Sequence, residues 1–247
     1  RYYVEKGYPK QAVVEYLVNL LNSDFEVWRA KNPTANYLDF DFKISKISSN
    51  NPMFDIVKMD DVSKNVISRM RAEEVYENVL NHSKEFDADF AKIWEKHKQT
   101  ALAVLSIGRD VERPRKDLTT FADAKNLYSY MFNELLNKES LLNFDGKVDK
   151  ETIKTFLSEY AKNVDLSFDN SEWFAQVKEI AGKCGFATDN KLYKANPEAF
   201  KGNVADACAL IRVAVTGTNQ TPDLCTILKI LGKEEVEKRL AFVIENL

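Results

Sequence analysis

The sequence predicts an all-α protein, and three observations carry that expectation. Only 8 glycines and 6 prolines interrupt 247 residues, which leaves long intervals to helix-forming side chains. In those intervals apolar residues recur at i, i+3 and i+4, the period of one helix face. Strand-like alternation of apolar and polar residues is almost absent.

The elements follow in order. Ala12, Val13, Tyr16, Leu17, Leu20 and Leu21 make a helical stripe within 7–29, with Pro9 in the first turn, where its missing N–H costs nothing. Asn22-Ser23-Asp24 breaks it. Phe25, Trp28 and Arg29 start a shorter helix that must stop before Asn32-Pro33, because a residue preceding proline is driven out of the α region. A loop-rich stretch over about 32–55 includes Ser48-Ser-Asn-Asn-Pro52, after which Phe54, Val57, Met59 and Val62 resume the helical period. Residues 71–107 read as two helices, ended by Gly108. A further helix is expected to begin near Leu118–Phe121 and run through Tyr128 and Phe132. Asn143-Phe-Asp-Gly146 reads as a turn. Asp149 is expected to cap a helix holding Ile153, Phe156, Leu157 and Tyr160. Ser171 is expected to cap the next, with Phe174, Val177 and Ile180 on its apolar face and Gly182 beyond its end.

Composition narrows the function. A hydrophobic fraction of 45% and a charged fraction of 30% describe an ordinary globular chain, long enough for one large or two to three small domains. No apolar run suits a bilayer and no signal peptide opens the chain, so no membrane partner is expected and the cytoplasm is the expected compartment. The net charge of -3 counts against a sequence-blind nucleic-acid binder and against DNA, but allows a local basic patch. Cys184, Cys208 and Cys225 are odd in number and form no Cys-x-x-Cys pair, and His82 and His97 are the only histidines. No metal site, catalytic triad or paired carboxylate stands out, so catalytic and metal residues are expected to be none. An independent enzyme is accordingly disfavoured. Arg1 in place of methionine suggests a piece of a longer chain.

Two segments stand apart. Arg109-Asp-Val-Glu-Arg113-Pro-Arg115-Lys116-Asp117 concentrates four cations in a loop; such a run is usually a solvated surface, but here it is the best local candidate for phosphate or base contact. Near the end, Val204–Gly217 reads as a helix with Arg212 near its C-terminus and a glycine stop. Thr221-Pro222-Asp223-Leu224 then opens another helix, with Thr221 as N-cap, Pro222 at the first position and Leu224, Ile227, Leu228 and Leu231 as a buried stripe. Each feature is ordinary helix chemistry; their proximity is what draws notice. A guanidinium fork beside an open loop can read an unstacked base.

The run Arg212-Val-Ala-Val-Thr-Gly217 followed by Thr221-Pro222-Asp-Leu224 closely resembles the anticodon-binding end of bacterial-type glutamyl-tRNA synthetases. Gly7-Tyr8-Pro9-Lys-Gln-Ala12-Val-Val-Glu-Tyr16-Leu17 is similar to the helix that follows that family's catalytic lysine loop, and Phe54-Asp55-Ile-Val-Lys58-Met59 through Asn65-Val-Ile67 to a further family element. About 125–200 is matched only by position and helical character. Lys58-Met59-Asp-Asp-Val-Ser63-Lys64 is a look-alike of the family's ATP loop with the wrong spacing; the resemblance places the genuine loop before Arg1.

The resemblance implies the C-terminal, tRNA-binding part of such an enzyme: the helical end of a stem-contact domain (1–70) followed by two helical anticodon-binding subdomains (71–150 and 151–247). It implies that Arg212, Thr221, Pro222 and Leu224 face anticodon bases in the second subdomain, and that Arg113 or Arg115 does so in the first. The implied partner is the tRNA for glutamate, with that for glutamine also open, bound by a monomer. No cofactor is expected in these residues; the parent enzyme would use ATP with magnesium. The competing reading is a helical protein-interaction module descended from a synthetase, and Arg212 buried against a carboxylate would favour it.

Overall fold

The computed structural model describes residues 1–47 and 53–247, so the expected Ser48–Pro52 loop lies outside the described residues. The fold is all-α. Fourteen α-helices and several 3-10 turns account for the regular structure among the described residues, and a single parallel bridge, Ala187 to Asn203, stands in place of any sheet. The chain divides into two compact units, Arg1–Tyr128 and Ser129–Leu247.

The first unit begins with α1 (Tyr2–Lys6), α2 (Lys10–Leu21) and α3 (Asp24–Lys31). After the loop come α4 (Ile56–Arg69), α5 (Ala72–Phe86), α6 (Ala88–Lys96) and α7 (Lys98–Ser106), with α8 (Ala124–Leu127) near its end. α2 packs on α4 through Ala12, Tyr16, Met59, Val62 and Val66. Asp55 caps α4 by accepting from Val57 and Lys58 N–H, the expected use of an aspartate at a helix start. Between α2 and α3 lies a buried ion pair: Arg29 donates to both carboxylate oxygens of Glu15, at 3.1 and 2.8 Å, and to the carbonyls of Asn32 and Ala35. Trp94 is fully buried, stacked on Tyr76 with ring centres 5.8 Å apart, and its indole N–H donates to the Tyr76 carbonyl.

Two expectations are corrected here. Residues 71–107 form three helices, because Asp87 and His97 interrupt them; Asp87 leaves the helical backbone region (φ -153, ψ 73) and caps α6 by accepting from Phe90 N–H. The helix expected through Tyr128 and Phe132 is instead a 3-10 turn (Phe121–Asp123), the four-residue α8 and another 3-10 turn (Ser129–Met131). A reciprocal Thr120–Asp123 capping box starts the segment, and the aromatic side chains that suggested one long helix are separate core anchors.

The second unit contains α9 (Lys150–Lys162), α10 (Asn170–Lys183), α11 (Asn190–Ala195), α12 (Val204–Thr216), α13 (Leu224–Leu231) and α14 (Lys233–Asn246). Its core joins Phe156, Tyr160, Val177, Ile211, Leu228 and Leu240, all fully buried. Asp149 caps α9 as expected. Asp169, not Ser171, caps α10, in a capping box with Glu172. The buried aromatic of α10 is Trp173, while Phe174 is 47% exposed: spacing from Val177 and Ile180 favours 173 (i, i+4, i+7), and the Trp173 indole gains the Tyr160 hydroxyl as acceptor at 3.0 Å. Gly182 lies inside the last turn of α10, which ends at Lys183. The apolar run beyond Leu224 is two helices, parted at Gly232.

Candidate functional site

The second unit brings Arg212 and the 218–223 loop together. A capping box formed by Asn203 and Asp206 fixes the start of α12. Its end is fixed at Gly217, whose φ of 71 lies in the left-handed region and whose position would put a Cβ 2.0 Å from the Ser140 hydroxyl. Buried Arg239 on α14 donates to the Val215 carbonyl at 2.7 Å and to the Tyr130 carbonyl at 2.8 Å, while Glu235 takes its Nε–H. The last turn of α12 therefore has its orphan carbonyl satisfied by a charged donor. Thr216 ties the loop down: its hydroxyl donates to the Arg212 carbonyl at 2.7 Å and also lies 3.3 Å from the Thr218 carbonyl.

Onto this support the chain sets Arg212. The side chain is half-buried, and its Nε–H donates to the Thr221 hydroxyl at 3.1 Å, which itself donates to the Pro222 carbonyl at 2.7 Å. The two terminal nitrogens of the guanidinium have no acceptor among the described residues, and no carboxylate pairs with it there. Burial raises the neighbouring Cys208 thiol to about 11, and Arg212 opposes that rise.

The other expected residues of this unit take different places. Thr221 is not the N-cap of α13: Asp223 is, accepting from Thr226 N–H at 2.8 Å and from its hydroxyl at 2.6 Å. Pro222 precedes that cap and is buried. Leu224 is 3% exposed and belongs to the core with Cys225 and Leu228, so its side chain anchors the loop from beneath. Arg239 is the residue that the sequence reading missed. An arginine four residues after Glu235 reads as a surface helix pair, and only the carbonyls of Tyr130 and Val215, distant in sequence, reveal it as a support of the loop.

In the first unit the basic loop separates into distinct roles. Arg109 is buried and donates to the carbonyls of Leu105, Ile67 and Met70 at 2.9, 2.7 and 3.1 Å, closing the C-terminal end of α4. Arg115 is half-buried, folded over Gly108, and paired with Asp117; the same carboxylate accepts from Tyr128 at 2.6 Å. Burial, then the Asp117 charge, push the Tyr128 phenol well up, so it stays a neutral donor. Arg113 and Lys116 are exposed, and neither makes a side-chain hydrogen bond or ion pair among the described residues.

Residues 190–244, which contain Arg212 and the loop, match the family model described as an anticodon binding domain. Over 241 residues the chain is 39% identical to a glutamate–tRNA ligase of Clostridium perfringens, covering 97% of this chain and 44% of that protein. It is also 39% identical over 242 residues to the one of Acetivibrio thermocellus, covering 97% and 43%. Nearly the whole of the chain is thus similar in sequence to glutamate–tRNA ligases. It spans less than half the length of these relatives. The fold agrees with the crystal structure of a glutamate tRNA ligase from Elizabethkingia meningosepticum, at a TM-score of 0.62 and 15% identity, covering 99% of this chain and 43% of that one.

Proposed function

We propose that this chain is the part of a glutamate–tRNA ligase that grips the tRNA for glutamate and reads its anticodon loop. The observation that supports this best is the open guanidinium of Arg212. It is held in place by Thr221, it faces no carboxylate among the described residues, and it lies in the segment that matches an anticodon binding domain. A planar fork with two unused edges can bond or stack on an unstacked base. Thr221 supplies a hydroxyl beside it, while buried Pro222 and Leu224 shape and anchor the loop. In the first unit Arg113 is the better placed of the two candidate arginines, because Arg115 is spent on Asp117.

Function divides the chain into a stem-contact portion (1–70) and two anticodon-binding portions (71–150 and 151–247). The parent enzyme activates glutamate with ATP and magnesium and joins it to the tRNA. The residues present here do not fit that role: the sequence has no glycine-rich phosphate cradle, and no cluster of three metal-ligating side chains occurs among the described residues. The isolated chain is accordingly expected to give no glutamate-dependent ATP–pyrophosphate exchange. It acts as a monomer in the cytoplasm, and glutamine tRNA is a second candidate ligand.

Binding of an anticodon stem-loop, followed by fluorescence anisotropy, tests this reading. Arg212→Ala is expected to weaken binding by about 1–3 kcal/mol, as for loss of a bidentate or stacked base contact. Equal affinity of the unaltered chain for scrambled anticodons refutes base reading.

A further inference from the structure

Arg69, the last residue of α4, is a half-buried cation for which the fold has no use. An arginine in a last helical turn ordinarily meets the free C-terminal carbonyls. Here those of Ile67 and Met70 are already taken by Arg109. The carboxylate whose charge acts on Arg69 is that of Glu15, and both of its oxygens are occupied by Arg29, with Gln11 adding a third donor. Arg69 therefore makes no side-chain hydrogen bond or ion pair among the described residues, although a guanidinium carries five donors. Burial, and next the charge of Arg29, lower its pKa, the mark of a cation short of counter-charge.

Its surroundings say what is missing. Arg69 lines a cleft of about 650 Å³ together with Arg113, Lys116, Asn65 and Ser68. Lys116 and Arg113 are exposed and unpaired, so three free cations converge on one hollow. Asp110 and Glu112 also line it, but both are exposed, where water and salt screen their repulsion. The cations outnumber the acids, and the one with the least access to water is a guanidinium, whose fork matches a phosphate.

We propose that Arg69, with Lys116 in the same cleft, holds a backbone phosphate of the bound RNA. This rests on the RNA-binding reading above. It adds a contact that carries no sequence information and sets register beside Arg113, which is left free to meet a base.

The test compares the salt dependence of binding for the 247-residue chain, Arg69→Gln and Lys116→Gln, using a glutamate tRNA transcript and the same transcript with an altered anticodon. Each substitution is expected to weaken both RNAs by the same factor. Each is expected to reduce the slope of log K against log salt by about 0.7–0.9, one phosphate's share. Wild-type affinity and slope in both variants, while Arg212→Ala still impairs binding, overturn the phosphate site and leave anticodon reading standing. Loss confined to the cognate anticodon also overturns it, since that is base readout. Failure of the unaltered chain to prefer its anticodon defeats the function proposed above, and the slope change then still supports a phosphate site. Failure to bind RNA at all overturns both. Lys116 is exposed, so its variant keeps the test decisive if Arg69→Gln does not fold.

Discussion

Asp149 starts α9 with one carboxylate, which accepts the Thr152 N–H at 2.9 Å and the Thr152 hydroxyl at 2.7 Å, with Lys201 nearby. These bonds, the backbone one first, hold its pKa down at about 2. A free aspartate titrates near ~3.9. The folded value is the depressed one, so the stability Asp149 adds is fully present above about pH 4 and disappears as the pH falls through about 2. Urea midpoints of the native chain and of Asp149→Asn are therefore expected to differ at pH 6 and to converge between pH 4 and 2. Gly217 is set by two independent constraints, its φ of 71 and the Ser140 hydroxyl where a Cβ would stand. Gly217→Ala is expected to cost more than ~1 kcal/mol, since alanine at positive φ adds strain to the clash. A variant that melts with the native chain would show that Ser140 and the turn yield freely.

Arg239 shows how one helix supports a loop on another. Its guanidinium is 3% exposed and joins α14 to the end of α12 and to the 3-10 turn at Tyr130. Arg239→Met strands the Val215 and Tyr130 carbonyls and leaves partly buried Glu235 without its cation. A loss of about 3 kcal/mol or more in urea denaturation is expected, the scale for breaking a buried pair. This support was not legible in the sequence, because its acceptors are backbone atoms 24 and 109 residues away. Elements with a local signature were legible: α12 starts at Val204 and stops at Gly217, both at their expected positions. Misreadings arose where two local solutions compete. Asp169 and Ser171 can both cap, and Trp173 and Phe174 can both turn inward; long-range partners such as the Tyr160 hydroxyl decide. At the candidate site, motif resemblance drew attention to Arg212 and Thr221. It could not separate Arg113 from Arg115, since the pairing of Arg115 with Asp117, a carboxylate that Tyr128 also holds, depends on folding.

On the scale of the whole chain, a net charge of -3 gives no general pull on a polyanion, so the RNA binding proposed above requires a few unpaired cations at fixed places. Fixing them is the task of two cores. The second unit, Ser129–Leu247, encloses its own cluster from Leu141 to Val243, with Trp173, Tyr160, Leu228 and Leu240 inside it. A chain of residues 129–247 is therefore expected to fold alone and to unfold cooperatively in urea. Trp173 is its single tryptophan and reports the core directly, being 6% exposed and bonded to Tyr160. Leu228 is fully buried, and Leu228→Ala in that segment is expected to cost about 2–5 kcal/mol through lost burial and the cavity left behind. If the native segment folds, its Trp173 emission is shifted to the blue and the variant's transition moves to lower urea with an unchanged slope. Emission at the wavelength of free tryptophan, with no sigmoidal transition, would mean that the core around Leu228 does not close without the rest of the chain. The platform under Arg212 would then be a property of all 247 residues and not of this unit.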